Sequence, residues 1–268
     1  MKIVNITKLA LLTIASLMFL PAQADYPDKP IGVMVAYGPG GATDFQARIA
    51  TLASGKEALI GQPIYILNKP GAGGRTGWNW FASEAPKDGS MLAAYNVPHF
   101  IAQSIVFDTA YNINTLEPLG NWGADPAVLI VGKDSPFNTV ADLLAHADAN
   151  PGAVTISGAG KFVGHHIAFL QFAKASGRDL TYIPAKGGVD ALRLVKAGEV
   201  SAGFNNLSDS ARSAADLKIL AVADLERHAY LPDVPTLMES GVDVDDSSVN
   251  FRGLMGPAGT PQDVIDFL

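Results

Sequence analysis

Two glycine-rich loops carry the chain's clearest chemistry. Gly38-Pro39-Gly40-Gly41 follows an apolar run, Ile31 to Ala36, and precedes a helical pattern opened by Thr43-Asp44. Gly71-Ala72-Gly73-Gly74 stands in the same relation to the run Pro63 to Leu67 and to a helical pattern that continues through Ala85. Such a loop presents backbone N–H groups at a helix N-terminus, where the macrodipole favours negative charge. Glycine suits it because a Cβ would block approach to those donors and exclude some backbone angles. In parallel α/β sheets, ligands bind at loops on the carboxyl ends of strands. Two such loops at adjacent strand ends point to an anion site rather than to tight turns alone. Bulk added at Gly40 or Gly74 is expected to abolish binding and leave the fold intact.

Other polar residues cluster in similar settings. Asp44, in the first helical turn, either caps the helix and orients the loop or touches a ligand that carries an amino or hydroxyl group. Arg75 either grips a carboxylate in bidentate fashion or is solvated. The segment Gly71 to Gly77 misses the G-x-G-x-x-G spacing, follows the second strand and has no acidic partner for a ribose, so no dinucleotide cofactor is expected. His165-His166 opens a helix after Ser157-Gly158-Ala159-Gly160-Lys161. Adjacent histidines point in different directions and do not share a metal as i, i+4 residues do; one would donate to a ligand and the other is packed or solvated. Lys186-Gly187-Gly188 is a third loop of the same type, and Asn205-Asn206 offers amide groups at a strand end. There is no H-E-x-x-H and no G-x-S-x-G nucleophile elbow, so neither catalysis nor a metal or cofactor has support.

The elements that must position these residues alternate between strand and helix. Ile31 to Ala36, Pro63 to Leu67 and Met91 to Tyr95 read as strands, with one helix from Thr43 to Leu59 stopped by Gly61. Repeated strand, loop and helix indicate βαβ units around a parallel sheet. The pattern resumes with strands at Ala127 to Val131, Val154 to Ser157, Leu180 to Ile183, Val200 to Phe204 and, last, Lys218 to Ala223. Helices fall at Val140 to Ala147, His165 to Ala175 and Ala191 to Lys196. Phe107 to Asp125 has few periodic apolar positions and reads as a crossing between two domains; a second crossing near Asp216 to Ala223 would return the chain to the first. The expected division is residues 25–122, 123–219 and 220–268.

Composition narrows the setting. Lys2 and Lys8, the apolar run Leu9 to Leu20, and Pro21 before Ala22-Gln23-Ala24 form the three-part layout of a secretory signal peptide, residues 1–24, cleaved before Asp25. The run is about a dozen residues, too short for the roughly 20 that span a bilayer. The 268-residue chain carries 19 Lys and Arg against 26 Asp and Glu, a formal charge of −7. That acidic average excludes a nucleic-acid stripe and opposes anionic lipid, without excluding a small anion held by local dipoles. With no cysteine, an exported chain relies on its core, and 48% hydrophobic residues suffice for two domains.

Several ordered segments are similar to one family. Tyr26-Pro27-Asp28-Lys29-Pro30-Ile31, Gly38-Pro39-Gly40-Gly41-x-x-Asp44 with Ala47-Arg48, and Asn68-Lys69-Pro70-Gly71-Ala72-Gly73-Gly74 resemble the opening of Bug-type solute-binding proteins. These are the extracytoplasmic receptors of tripartite tricarboxylate transporters. Ala85-Pro86-Lys87-Asp88-Gly89, Tyr182 to Gly188, Leu231 to Thr236 and Gly253 to Pro261 extend the resemblance over the mature chain. It implies an α/β, type II periplasmic binding protein fold, two α/β domains with a ligand cleft between them. It further implies a small mono- or dicarboxylate held by Tyr37, Gly40, Gly41, Ala42, Thr43, Asp44, Gly73, Gly74, Arg75 and Thr76. Asn96 and His99, with Lys161, His166, Lys186, Gly187 and Asn205 of the second domain, would complete the site. The segment Lys161-Phe162-Val163-Gly164 departs from the family's Ser/Thr-rich stretch, which leaves the register of His165 against His166 open. Family members continue beyond Leu268, so a longer chain is expected. The implied protein is a periplasmic monomer whose partners are its ligand and the membrane subunits of a transporter. A receptor signalling to a sensor kinase and an exported hydrolase are the rival readings.

Overall fold

The computed structural model describes residues 26–54 and 56–268, so the signal-peptide and cleavage expectations concern residues outside it. Among the described residues, no helix is long and apolar enough to cross a membrane. Strand β1 (Ile31–Val35) is buried along its whole length, as an unbroken apolar run covered on both faces must be. It pairs in parallel with β2 (Ile64–Asn68) and β3 (Met91–Val97). Helices α1 (Ala42–Ser54) and α2 (Glu57–Ile60) join β1 to β2, and the single helix expected from Thr43 to Leu59 is therefore two. Gly55, a poor helix former, lies between them. A 3-10 turn, Ala72–Gly74, runs into α3 (Arg75–Glu84), and α4 (His99–Val106) follows β3.

The segment expected as a bare crossing contains a ten-residue strand, β4 (Leu116–Asp125). Among the described residues it pairs only with β10 (Asn250–Pro257), which sequence reading missed and which lies antiparallel between β3 and β4. The first sheet has the order β2-β1-β3-β10-β4.

The second sheet begins directly after Pro126 with β5 (Ala127–Gly132). Helix α5 (Val140–Ala149), β6 (Thr155–Gly158), α6 (Gly164–Ser176), β7 (Thr181–Pro184), α7 (Gly188–Lys196), β8 (Ala202–Asn206), α8 (Leu207–Arg212) and β9 (Leu217–Ala223) follow. Thr139 caps α5 reciprocally: its hydroxyl accepts the Asp142 N–H at 3.1 Å and the Asp142 carboxylate accepts the Thr139 N–H at 2.9 Å. The order is β7-β6-β8-β5-β9, with β5 antiparallel to both neighbours. Each sheet is thus mixed rather than parallel. One reversed strand in each enters on a connection from the other half.

The proposed return at residue 220 falls inside β9, which pairs with β5. Leu237, Val242 and Val244 also pack into the second core, with Phe172 and Phe204, so the chain regains the first sheet only at β10. Alternation along β5 sends Leu129 and Val131 to that core and Val128 and Ile130 to the opposite face with Val195 and Val222. The first sheet is likewise covered on both faces, by Trp78 and Phe81 on one and by Ala47 on the other. A last helix, α9 (Gln262–Phe267), sets Phe267 edge-on to Tyr26 at 5.4 Å.

Candidate functional site

Strand ends of the two sheets meet at a cavity of about 290 Å³. Tyr37, Gly38, Gly41, Ala42, Thr43 and His99 line it from the first domain; Lys186, Gly187, Gly188, Asn206 and Asp209 line it from the second. Pro70 and Lys186 also border a more open cavity of about 820 Å³, walled by Gly73, Arg75, Phe107 and Lys161. Both expected glycine loops and two of the second-domain segments therefore do converge.

Asp44 builds the first loop rather than facing the cavity. Its Oδ2 accepts the Gly40 N–H at 2.9 Å and Arg48 Nε at 3.0 Å, and its Oδ1 accepts Asn68 Nδ2 at 2.9 Å. Burial opposes ionisation, but these hydrogen bonds and the Arg48 charge hold the carboxyl below its ordinary pKa. Of its two readings, capping and loop orientation is the one its contacts match. Gly40 itself does not line the cavity, and a Cβ there would meet nothing within 4 Å. The amides of the first turn of α1 have no intrahelical acceptors, and Gly41, Ala42 and Thr43 line the cavity.

The second loop is bent by four consecutive positive φ angles, at Gly71, Ala72, Gly73 and Gly74. Tyr37 Oη donates to Gly73 O at 3.1 Å and lies 2.8 Å from His99 Nδ1. A methyl at Gly74 would stand 2.7 Å from the Trp78 ring, so bulk there strikes the core, and the expectation that it spares the fold is corrected by packing. Thr76 is exposed and packs under Gly71, away from both cavities. Arg75 stacks on Phe107 at 3.7 Å. Among the described residues, Arg75, Lys161 and Lys186 have no carboxylate within ion-pair distance.

Helix rotation separates the two histidines. His166, the expected ligand contact, accepts the Phe162 N–H on Nδ1 at 3.1 Å and packs on Tyr182 at 4.4 Å, lining neither cavity. His165 is the ring turned toward the domain interface, its Cε1 close beneath Gly188 and its Nδ1 accepting the Ala159 N–H at 3.2 Å. Burial lowers its pKa to about 4 and drives that of His99 well below the ordinary value. Strand alternation makes a similar correction at Asn205: its amide is used on Gly188 O at 3.0 Å and the Asn206 N–H at 2.8 Å, while Asn206 lines the cavity. Asn96 is fully buried and donates to Thr43 Oγ1 at 2.9 Å, supporting the first loop from below.

Sequence reading missed the residues that join the domains. Gln103 Nε2 bridges Gly73 O at 3.1 Å and Lys161 O at 3.0 Å. Ala42 N–H donates to Asp209 Oδ2 at 3.2 Å, and Arg212 donates to Gly40 O at 3.1 Å while pairing with Asp209. At the crossover, fully buried Arg252 pairs with Asp125. Asp125 also accepts the Ser208 N–H at 3.0 Å and Gln46 Nε2 at 3.1 Å. The Asn250 amide lies 2.7 Å from Arg252 Nη2, and because a guanidinium only donates, the amide oxygen is assigned to that side. Burial would raise the Asp125 pKa, but the Arg252 charge and Ser208 bring it below the ordinary value. The one signal for this pair is Arg252 itself, the single charge in its strand. Asp209 sits in the first turn of α8, which starts directly where β8 ends.

Compared with known proteins, the chain matches the family described as tripartite tricarboxylate transporter family receptor over residues 47–268. It is 31% identical to Protein BugT of Bordetella pertussis, covering 92% of this chain and 77% of that one. A solved R. palustris protein with adipate is 25% identical, with a TM-score of 0.80 over 90% of this chain and 81% of its own. MatC from Rhodopseudomonas palustris with bound malate is also 25% identical, with a TM-score of 0.80 over 90% of this chain and 82% of its own.

Proposed function

The chain belongs to the tripartite tricarboxylate transporter receptor family, and from that premise we propose that it captures a small mono- or dicarboxylate in the periplasm and delivers it to the membrane subunits of a transporter. The observation that carries this reading is the first turn of α1, whose Gly41, Ala42 and Thr43 line an interdomain cavity of about 290 Å³. Amides without intrahelical acceptors, backed by the helix dipole, suit a carboxylate even in an acidic protein. The cavity is near the small end of the range for ligand sites, about 300–1,000 Å³. Two neighbours in fold are described with adipate and with malate, both carboxylates.

Micromolar capture requires about −8 kcal/mol. Several charge-assisted hydrogen bonds at roughly 1.5–3 kcal/mol each supply much of that before ordering costs. Contacts from both domains stabilise the closed arrangement selectively, which is how a ligand shifts such an equilibrium. A thermal-shift screen against aliphatic dicarboxylates, tricarboxylates, amino acids and aromatic acids tests the reading. A dose-dependent rise in melting temperature with one class, without product formation, supports it. No shift with any carboxylate, in folded protein stripped of ligand, counts against it.

A further inference from the structure

A carboxylate-binding cleft has little evident use for an acid of its own, yet Asp209 lines this one. The side chain is 4% exposed, and its Oδ2 takes the Ala42 N–H at 3.2 Å, one of the first-turn amides of α1. Its Oδ1 is held by Arg212, which reaches across to Gly40 O at 3.1 Å and stacks over Phe45 at 4.1 Å. An ionised carboxylate has about four acceptor positions, so one guanidinium contact and one amide leave Oδ2 able to accept again. Beside it stands Asn206, 7% exposed, whose buried Oδ1 has no hydrogen bond of good geometry and faces His165. The first-domain wall of the cavity thus offers the first-turn amides of α1, and on the second-domain wall the Asp209 carboxylate is the acceptor, beside Lys186 and the Gly187-Gly188 loop.

Resting on the carboxylate reading, we infer that Asp209 is a specificity-determining residue: it selects carboxylates that bear a hydrogen-bond donor, a hydroxyl or an ammonium, next to the bound carboxylate. A ligand carboxylate on the neighbouring α1 amides brings its adjacent carbon toward Asp209 Oδ2. A donor on that carbon satisfies Oδ2; a bare methylene leaves an acceptor buried beside a second negative charge. Sites built to hydrogen-bond a substrate group discriminate against analogues that lack it. Burial already raises the Asp209 pKa, against the pull of Arg212 and Arg252, and a ligand donor relieves the same desolvation.

Calorimetric titration of the wild-type chain and D209N with succinate, malate, aspartate and adipate tests this. The first three share one four-carbon frame and differ at a single carbon, which carries hydrogen, hydroxyl or ammonium. The wild type is expected to bind malate or aspartate about tenfold more tightly than succinate, and the better of the two identifies the donor. In D209N the preference is expected to fall below about threefold, with succinate binding improved. A wild type that binds succinate as tightly as both donor-bearing acids overturns the inference, and needs no variant. So does a D209N variant that shifts all ligands by one common factor, the mark of a simple interdomain latch. Binding of adipate alone would overturn the inference and leave the carboxylate reading standing; binding of none of the four would count against both.

Discussion

Acidification is expected to weaken the fold through His165. The ring is 2% exposed, and burial lowers its pKa to about 4 from the usual 6.5. Its Nδ1 accepts the Ala159 N–H at 3.2 Å, a bond open only to the neutral ring. The unfolded chain takes up this proton near pH 6.5 and the native chain near pH 4, so the unfolded state binds more protons between them. The stabilisation is therefore complete above pH 6.5 and is lost as pH falls through that window. A gap of this size is worth roughly 3 kcal/mol, of which about 2 kcal/mol disappears between pH 7 and pH 5. Asp209, with its raised pKa, acts in the opposite sense, so the whole-protein curve mixes contributions. His165→Asn isolates the ring, because the amide oxygen can replace Nδ1 as acceptor for Ala159. Urea unfolding at pH 7 and pH 5 is expected to show the variant losing about 2 kcal/mol less than the wild type over that interval. Equal losses would mean that the native ring titrates normally and would refute the burial argument.

Other substitutions probe the packing around the cleft. Gly40→Ala adds only backbone strain, about 1 kcal/mol, whereas Gly74→Ala adds overpacking against Trp78 of about 1–3 kcal/mol; equal shifts in melting temperature would contradict that distinction. Arg252→Met leaves Asp125 buried without its cation and is expected to cost about 3–5 kcal/mol in urea unfolding, with most of the loss recovered by the additional change Asp125→Leu. A double variant no more stable than the single one would argue against the pair. Gln103→Leu removes the bridge between Gly73 and Lys161, and small-angle scattering of the ligand-free protein should report a larger radius of gyration. An unchanged radius would place closure on Asp209 and Arg212 instead.

Local signals made the loops legible. An unbroken apolar run such as Ile31 to Val35, then glycines, then Thr43-Asp44, leaves few local alternatives to strand, turn and helix start. Strand β4 was hidden because Pro118, Gly120 and Gly123 interrupt its alternation. Those residues suit the sheet edge it occupies, where one side needs no ladder. Its partner lies more than a hundred residues away, and no local pattern carries that pairing. The histidine register, left open in the sequence, and the choice between Asn205 and Asn206 each turn on one position. About 100° of helix rotation separates His165 from His166, and one step of strand alternation separates Asn205 from Asn206. The Asp125–Arg252 pair has no sequence spacing that could announce it, because it exists only after both crossings are made.

The two crossings also set an order of assembly. All five strands of the second sheet come from one continuous stretch, residues 127–223, and can pair as soon as that stretch is available. In the first sheet, β3 meets β4 only through β10, which begins at Asn250. A chain made from its N-terminus therefore holds β1 to β3 with an unfilled edge while the later half completes itself. The glycine loop at the end of β1 reaches its final support, Asn96 against Asn250 and Asp125 against Arg252, only when that late strand slots in. The loop at the end of β1 thus gains its full support later than either the first three strands or the whole second sheet.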